Sequence, residues 1–169
     1  MAREGGVGIE VQSKDLAELG HDLARRARRL SDLTPLMDEL GGAMVASTQQ
    51  RFEEEKAPDG TPWERSARAV HEGGQTLRDS NRLYQSITHR AEPDKVTWGT
   101  NVIYAAVHQF GATIRAKSAN ALAFSLPGGD FAQVQKVEIP ARPFLGVSRD
   151  DQAEIGRTVE DFLAREVFR

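Results

Sequence analysis

Residues 96–111 read Val-Thr-Trp-Gly-Thr-Asn-Val-Ile-Tyr-Ala-Ala-Val-His-Gln-Phe-Gly, and the remaining elements are organised around them. Val96 and Trp98 alternate with Thr97, the two-residue period of a short strand. Gly99 breaks that strand. Thr100 or Asn101 then offers a side-chain oxygen to the free N–H groups of a helix's first turn. The short helix so opened carries Tyr104, Val107, His108 and Phe110, while Ala105 and Ala106 leave room for close packing. Gly111 stands where a helix stops at least cost. Strand, turn, aromatic-rich helix and glycine stop make a corner on which longer elements can pack.

Toward the N-terminus, residues 87–91 and 95–98 read as two strands joined by Glu92-Pro93-Asp94. Ser80 or Asn81 opens a short helical turn before them, with Leu83 and Ile87 directed inward. Between residues 61 and 75 the pattern weakens, and Trp63 is the expected anchor. Thr34-Pro35 pairs a cap with a proline at the first helical position. The helix that follows, to about residue 55, sets Met37, Leu40, Met44, Thr48 and Phe52 on one stripe before Pro58-Asp59-Gly60 ends it. Its acidic end, Glu53-Glu54-Glu55, reads as solvated and offset by Lys56. Earlier still, Val7, Ile9 and Val11 alternate as a strand. Residues 14–30 predict an amphipathic helix with Leu16, Leu19, Leu23 and Leu30 inward and Arg25, Arg26, Arg28 and Arg29 near its end.

Toward the C-terminus, residues 113–116 predict a strand end. Leu122, Phe124 and Leu126, then Val137 and Ile139, alternate with other residues around a turn at Pro127-Gly128-Gly129-Asp130. This predicts a long hairpin. Pro140-Ala141-Arg142-Pro143-Phe144-Leu145-Gly146 forms a rigid turn, after which Ser148 caps a last helix, with Asp150 and Asp151 near its positive end. Ile155, Val159, Phe162 and Leu163 form the apolar stripe of that helix. The fold class expected is α+β: N-terminal helices, a small antiparallel sheet with a long β-hairpin, and a C-terminal helix packed on the sheet. Residues 1–169 form one domain in this reading, with the hairpin projecting over about residues 112–139.

At 169 residues, 39% apolar and 28% charged, the composition is that of a folded globular chain. A net charge of -3 argues against a generic polyanion binder. The absence of cysteine excludes thiolate metal sites, thiol nucleophiles and disulfides. No apolar run approaches the roughly 18 residues that span a bilayer, and the first residues carry no signal-peptide pattern.

His108 is the residue most able to act as acid, base or ligand. The other histidines, His21, His71 and His89, lie in separate elements, without the i, i+4 pair that holds zinc. No serine lies in a Gly-x-Ser-x-Gly elbow, and Gly73-Gly74 and Gly128-Gly129 lack the Lys-Ser or Lys-Thr of a phosphate loop. No catalytic constellation, cofactor site or metal site is expected, and the chain reads as a non-enzyme. One competing reading is a hydrolase using His108 with an acid supplied by the fold. Another is a nucleic-acid-binding module, since Arg25, Arg26, Arg28 and Arg29 form a cluster able to track phosphates. The same cluster is equally a solvated helix end or a partner for acidic protein surfaces. Arg142, fixed between prolines beside Phe144 and Leu145, reads either as part of a packed loop or as a charged anchor held out for a partner.

Three motifs together, Trp98-Gly99-Thr100-Asn101 with Tyr104-Ala105, His108-Gln109-Phe110-Gly111, and Pro140-Ala141-Arg142-Pro143-Phe144-Leu145-Gly146, resemble the phage virion morphogenesis family, the tail completion proteins of Mu-like and P2-like tailed phages and prophages. The segment from Leu77-Arg78-Asp79 through Tyr84-Gln85-Ser86-Ile87 is also similar, with Ser80-Asn81 where members often carry Thr-Gly, and Trp63 matches another recurrent position. The resemblance implies a structural role at the head–tail neck, in a ring homo-oligomer, with head-connector, neck and tail proteins as partners and no membrane. It places the protein in the virion after assembly in the bacterial cytoplasm. Tyr104, His108, Gln109, Phe110, Arg142 and Phe144 are the interface residues it suggests. Arg25, Arg26, Arg28, Arg29, Arg115 and Lys117 are the candidates to face genomic DNA in the lumen.

Overall fold

The computed structural model describes residues 20–21, 24–25, 27, 30–116, 121–125 and 129–167. The strand expected at residues 7–11, most of the first helix and the hairpin turn at 126–128 lie outside the described residues. Those described among residues 20–27 are helical.

The long helix is α1, Thr34–Glu54. Its start differs from the expected cap: the carboxylate of Asp32 accepts the Thr34 N–H at 2.9 Å, and Thr34 itself is already helical. One stripe buries Leu40, Met44, Thr48 and Phe52, as the spacing predicts, but its first member is Leu36, and the expected Met37 is only partly buried. The helix ends at Glu55 in a left-handed turn, φ 54°. The acidic end is only partly solvent-facing. Lys56 pairs with Glu54 at 2.6 Å, but Glu55 accepts from Thr76 N–H at 2.5 Å and Glu53 from the Tyr84 hydroxyl at 3.1 Å. These bonds tie the irregular segment 61–87 to the helix end.

Two short helices follow, α2 (Ala67–His71), capped by Ser66 at Ala69 N–H, and α3 (Arg82–Gln85). Asn81 precedes α3 at φ 58°, the left-handed geometry that asparagine tolerates better than most residues. β1 (Thr88–Glu92) and β2 (Lys95–Gly99) pair antiparallel, Ala91 opposite Val96. They lie against α1 at Gly41, where a Cβ would overlap the His89 ring and reach Val96 Cγ2 at 2.9 Å. Gly42 next to it faces open space. Gly41→Ala is therefore expected to destabilise by about 1–3 kcal/mol through overpacking. Gly42→Ala should stabilise by roughly 0.5–1 kcal/mol through helix propensity. Thermal midpoints of the two variants on opposite sides of the parent would bear this out.

After β2, Thr100 does not cap the next helix. Its Oγ1 accepts the Val102 N–H at 3.1 Å and meets Ser86 Oγ at 2.6 Å, closing a turn one step earlier. α4 then runs Ala105–Phe110. Gly111, φ 73°, leads into β3 (Ala112–Arg115), and a Cβ there would sit 3.0 Å from both Ala141 N and Ile139 O.

β3 pairs with β6 (Lys136–Ile139), and β4 (Leu122–Ser125) pairs with β5 (Phe131–Val134). An Ala116 N–H to Gln135 carbonyl bond at 3.2 Å extends the β3–β6 ladder by one step, and Gln135 alone separates β5 from β6; the two ladders together are the arm. Among the described residues the β-structure is three two-stranded antiparallel ladders where one small sheet was expected. The last helix, α5 (Arg149–Val167), packs chiefly on α1 instead of on strands. Phe162 joins Leu36 and Leu40 there, flanked by Ile155, Val159 and Val96 of β2. The main core gathers Phe52, Trp63, Leu83, Ile87, Val102, Ala105 and Phe144.

Candidate functional site

The two late sequence motifs meet. Residues 140–146 form an extended turn with almost no internal hydrogen bonding, so its polar backbone must find partners elsewhere. It finds them in four side or main chains. Gln109 of α4 accepts from Phe144 N–H and Leu145 N–H, each at 3.0 Å, and donates to the Leu145 carbonyl at 2.9 Å. The Trp63 indole N–H donates to the Pro143 carbonyl at 2.9 Å. The His108 carbonyl accepts the Arg142 N–H at 2.6 Å. Arg51 of α1 donates to the Phe144 carbonyl at 3.0 Å and the Gly146 carbonyl at 2.9 Å.

Gln109 is thus a clamp between α4 and the turn. Gln109→Ala would leave two partly buried N–H groups and a carbonyl without their partner, a loss of about 1 kcal/mol per group. Gln109→Glu keeps the acceptor but faces the Leu145 carbonyl with a carboxylate. Both variants should unfold at clearly lower urea than the parent.

Arg51 is anchored by Asp151 of α5, forming a buried ion pair in which Ser47 Oγ also takes part. Asp151 and Ser148 cap α5 reciprocally: Ser148 N–H donates to Asp151 Oδ2 at 2.6 Å and Asp151 N–H to Ser148 Oγ at 3.0 Å. Burial pushes the Asp151 carboxyl up, but bonds from Ser47 and Ser148 and the Arg51 charge prevail and hold it below the usual carboxylate value.

Two of the suggested interface residues are interior. Phe144 is fully buried, its ring tilted against Phe52 with centroids 5.2 Å apart. Arg142 is 5% exposed, its Nε donating to the Glu64 carbonyl at 2.7 Å. An anchor held out on the surface does not describe it, because the turn that carries it is folded onto α4 and residue 64. His108 is partly buried, edge-on to Tyr104 with ring centroids 5.9 Å apart. Burial first, and the Arg142 charge second, hold its imidazole below its ordinary value. Its nearby charge is thus an arginine, the opposite of the acid that a hydrolase reading asks for.

The residues around α4 do face outward, with Ile103 and Tyr104 in the turn just before it and Phe110 at its last position. Ile103 is 96% exposed and Phe110 78%, with Tyr104 half-exposed between them. Ile103, a residue the sequence pattern alone did not single out, is the most exposed large apolar side chain described. Across each ladder of the arm, paired residues share a face. Ala112, Ile114, Val137 and Ile139 lie on one face of the inner ladder, and Leu122, Phe124, Ala132 and Val134 on one face of the outer. Ile114 is 42% exposed and Phe124 36%, so the chain covers this apolar face incompletely. Arg115 is exposed on the polar face, opposite Lys136. Arg25 is exposed on its helix. Arg26, Arg28, Arg29 and Lys117 lie outside the described residues.

Among the described residues, no cluster of histidine and acidic side chains fits a metal ion, and no helix is long and apolar enough to cross a membrane.

The chain is 30% identical over 155 residues to the "Mu-like prophage FluMu G protein 2" of Haemophilus influenzae, covering 92% of this chain and 96% of that protein. It is also 30% identical over 166 residues to the "Putative capsid assembly protein G" of Escherichia phage Mu, covering 92% and 91% respectively. No solved structure matches it. Residues 14–164, which include the α4 corner, the arm and the clamped turn, match the phage virion morphogenesis family, and the chain belongs to that family.

Proposed function

We propose that this chain is a non-catalytic assembly protein of the head–tail neck, which completes the head-proximal end of the tail and enables head–tail joining as a ring of identical copies. The observation that carries this reading is the arm. A two-stranded ribbon with an uncovered apolar face is marginal alone in water, and the same chain exposes Ile103 and Phe110 at the arm's base. Arm face and α4 are different surfaces. Contact between them on successive copies is therefore heterologous, and heterologous contacts build rings when the rotation closes. The virion assembly family supports the structural role. Head-connector, neck and tail proteins are the further partners, and the polar arm face with Arg115 and Lys136 is the candidate to meet genomic DNA in the lumen.

The test is negative-stain electron microscopy of particles from cells with this gene interrupted. Filled heads beside unattached tails are expected. Normally joined particles would overturn the neck assignment.

A further inference from the structure

Beside α4, residues of α2, α3 and the segment between them line a cleft of about 300 Å³. Three arginines line it, Arg68, Arg82 and Arg142, against one acid, Asp79. Asp79 sits on the rim, 3.6 Å from Arg68, with its side chain 80% exposed. Arg68 is otherwise spent on the carbonyls of Gly73 and Gln75. Arg142 is different. It is 95% buried, only its Nε is bonded to the Glu64 carbonyl, and among the described residues no carboxylate forms an ion pair with it. The Glu64 carboxylate acts on it only from beyond ion-pair distance, and burial still outweighs that charge and holds the guanidinium below its ordinary value. Next to it, His108 Nδ1 is buried and without a hydrogen-bond partner among the described residues. Leu83 and Tyr104 supply apolar walls. Cationic and donor groups converging in a small, half-apolar recess fit one carboxylate with a short apolar neighbour.

The other end of the chain's own arm offers that pair. Asp130 is exposed just before β5, and Phe131, the first residue of that strand, is 66% exposed. α4 and the turn that leads into it present Ile103 and Phe110 to solvent and lend Tyr104 and His108 to the cleft, so one short segment joins the apolar seat for an arm to the cationic recess. We propose that this cleft receives the Asp130 carboxylate of a second copy, locking the arm's tip into the neighbouring subunit. This rests on the ring reading above and names the contact that would hold it.

The chain lacks cysteine, so a paired-cysteine test has no background. The full-length Asp130→Cys, Arg82→Cys double variant, oxidised mildly, is expected to give a ladder of covalent oligomers on denaturing gels. An equimolar mixture of the two single variants should stop at dimers. In light scattering, Asp130→Arg and Arg82→Glu should each weaken self-association at least tenfold, and combining them should restore it, which a misfolded variant could not do. If the parent self-associates but the double-cysteine variant shows no ladder and neither charge change matters, the cleft assignment is overturned while the ring stands. A parent that stays monomeric overturns the assignment as well, and microscopy of the interrupted gene then judges the assembly role separately. Loss of double-stranded DNA retention by Arg82→Glu without any ladder would overturn it in favour of a phosphate.

Discussion

Arg51→Ala is expected to destabilise the protein by about 3–5 kcal/mol, because it strands a buried carboxylate. Arg51 and Asp151 have side chains 5% exposed each, and Arg51 also holds the carbonyls of Phe144 and Gly146. Removing it leaves Asp151 charged and buried, and frees the turn from α1. Urea unfolding at neutral pH measures the loss. Its pH dependence follows from the lowered Asp151 carboxyl. A depressed carboxylate contributes stability that is present above its unfolded value of about 3.9 and is lost as pH falls through the lower folded value. In Arg51→Ala that contribution shrinks. The gap between parent and variant should therefore be full at neutral pH and narrow in acid, as Asp151 becomes protonated. Replacing Arg51 and Asp151 together by Met and Leu should recover the part due to the stranded charge, but not the bonds to the Phe144 and Gly146 carbonyls and the Ser148 N–H. A gap that widened in acid would contradict this account.

Phe52→Ala is expected to cost about 3–5 kcal/mol. Phe52 is fully buried and sits at the centre of an aromatic cluster: edge-on to Trp63 at 5.4 Å and Tyr84 at 6.0 Å, and tilted on Phe144 at 5.2 Å. It is the residue on which α1, the segment around Trp63, α3 and the 140–146 turn converge. The cavity left behind cannot collapse without moving all four. For a chain of this size each kcal/mol lowers the thermal midpoint by roughly 2–4 °C, so a fall on the order of 10 °C is expected by calorimetry. Leu163→Ala, on the 40% exposed end of the α5 stripe, serves as the contrast and should stay within about 0.5 kcal/mol.

Much of this architecture was legible from local pattern. The α1 stripe, the β1–β2 hairpin, the helix–glycine corner at residues 105–111, the Ser148 cap and the α+β class all follow from periodicity and capping, which act over a few residues. The misplaced details were also local, and they failed where a tertiary partner intervened. Thr100 has the chemistry of a cap, but Ser86 on the preceding segment draws its hydroxyl into an earlier turn. Ile103 follows no burial stripe, so only its 96% exposure marks it. Arg51 lies one position before Phe52 on a helix full of charges, and nothing in its neighbourhood distinguishes it from a solvated arginine.

The family signature itself, two motifs about thirty residues apart, was plain in the order of residues. Why they travel together was decided only by the fold, which brings Gln109 onto the backbone of Phe144 and Leu145. Secondary structure is written in short-range periodicity, because backbone geometry repeats every two or 3.6 residues. Which polar group satisfies which carbonyl is a long-range matter. It made the apparent surface anchor Arg142 a buried side chain, and turned a glutamine, a tryptophan and a helix arginine into the clasp of a loop some 35 to 95 positions away.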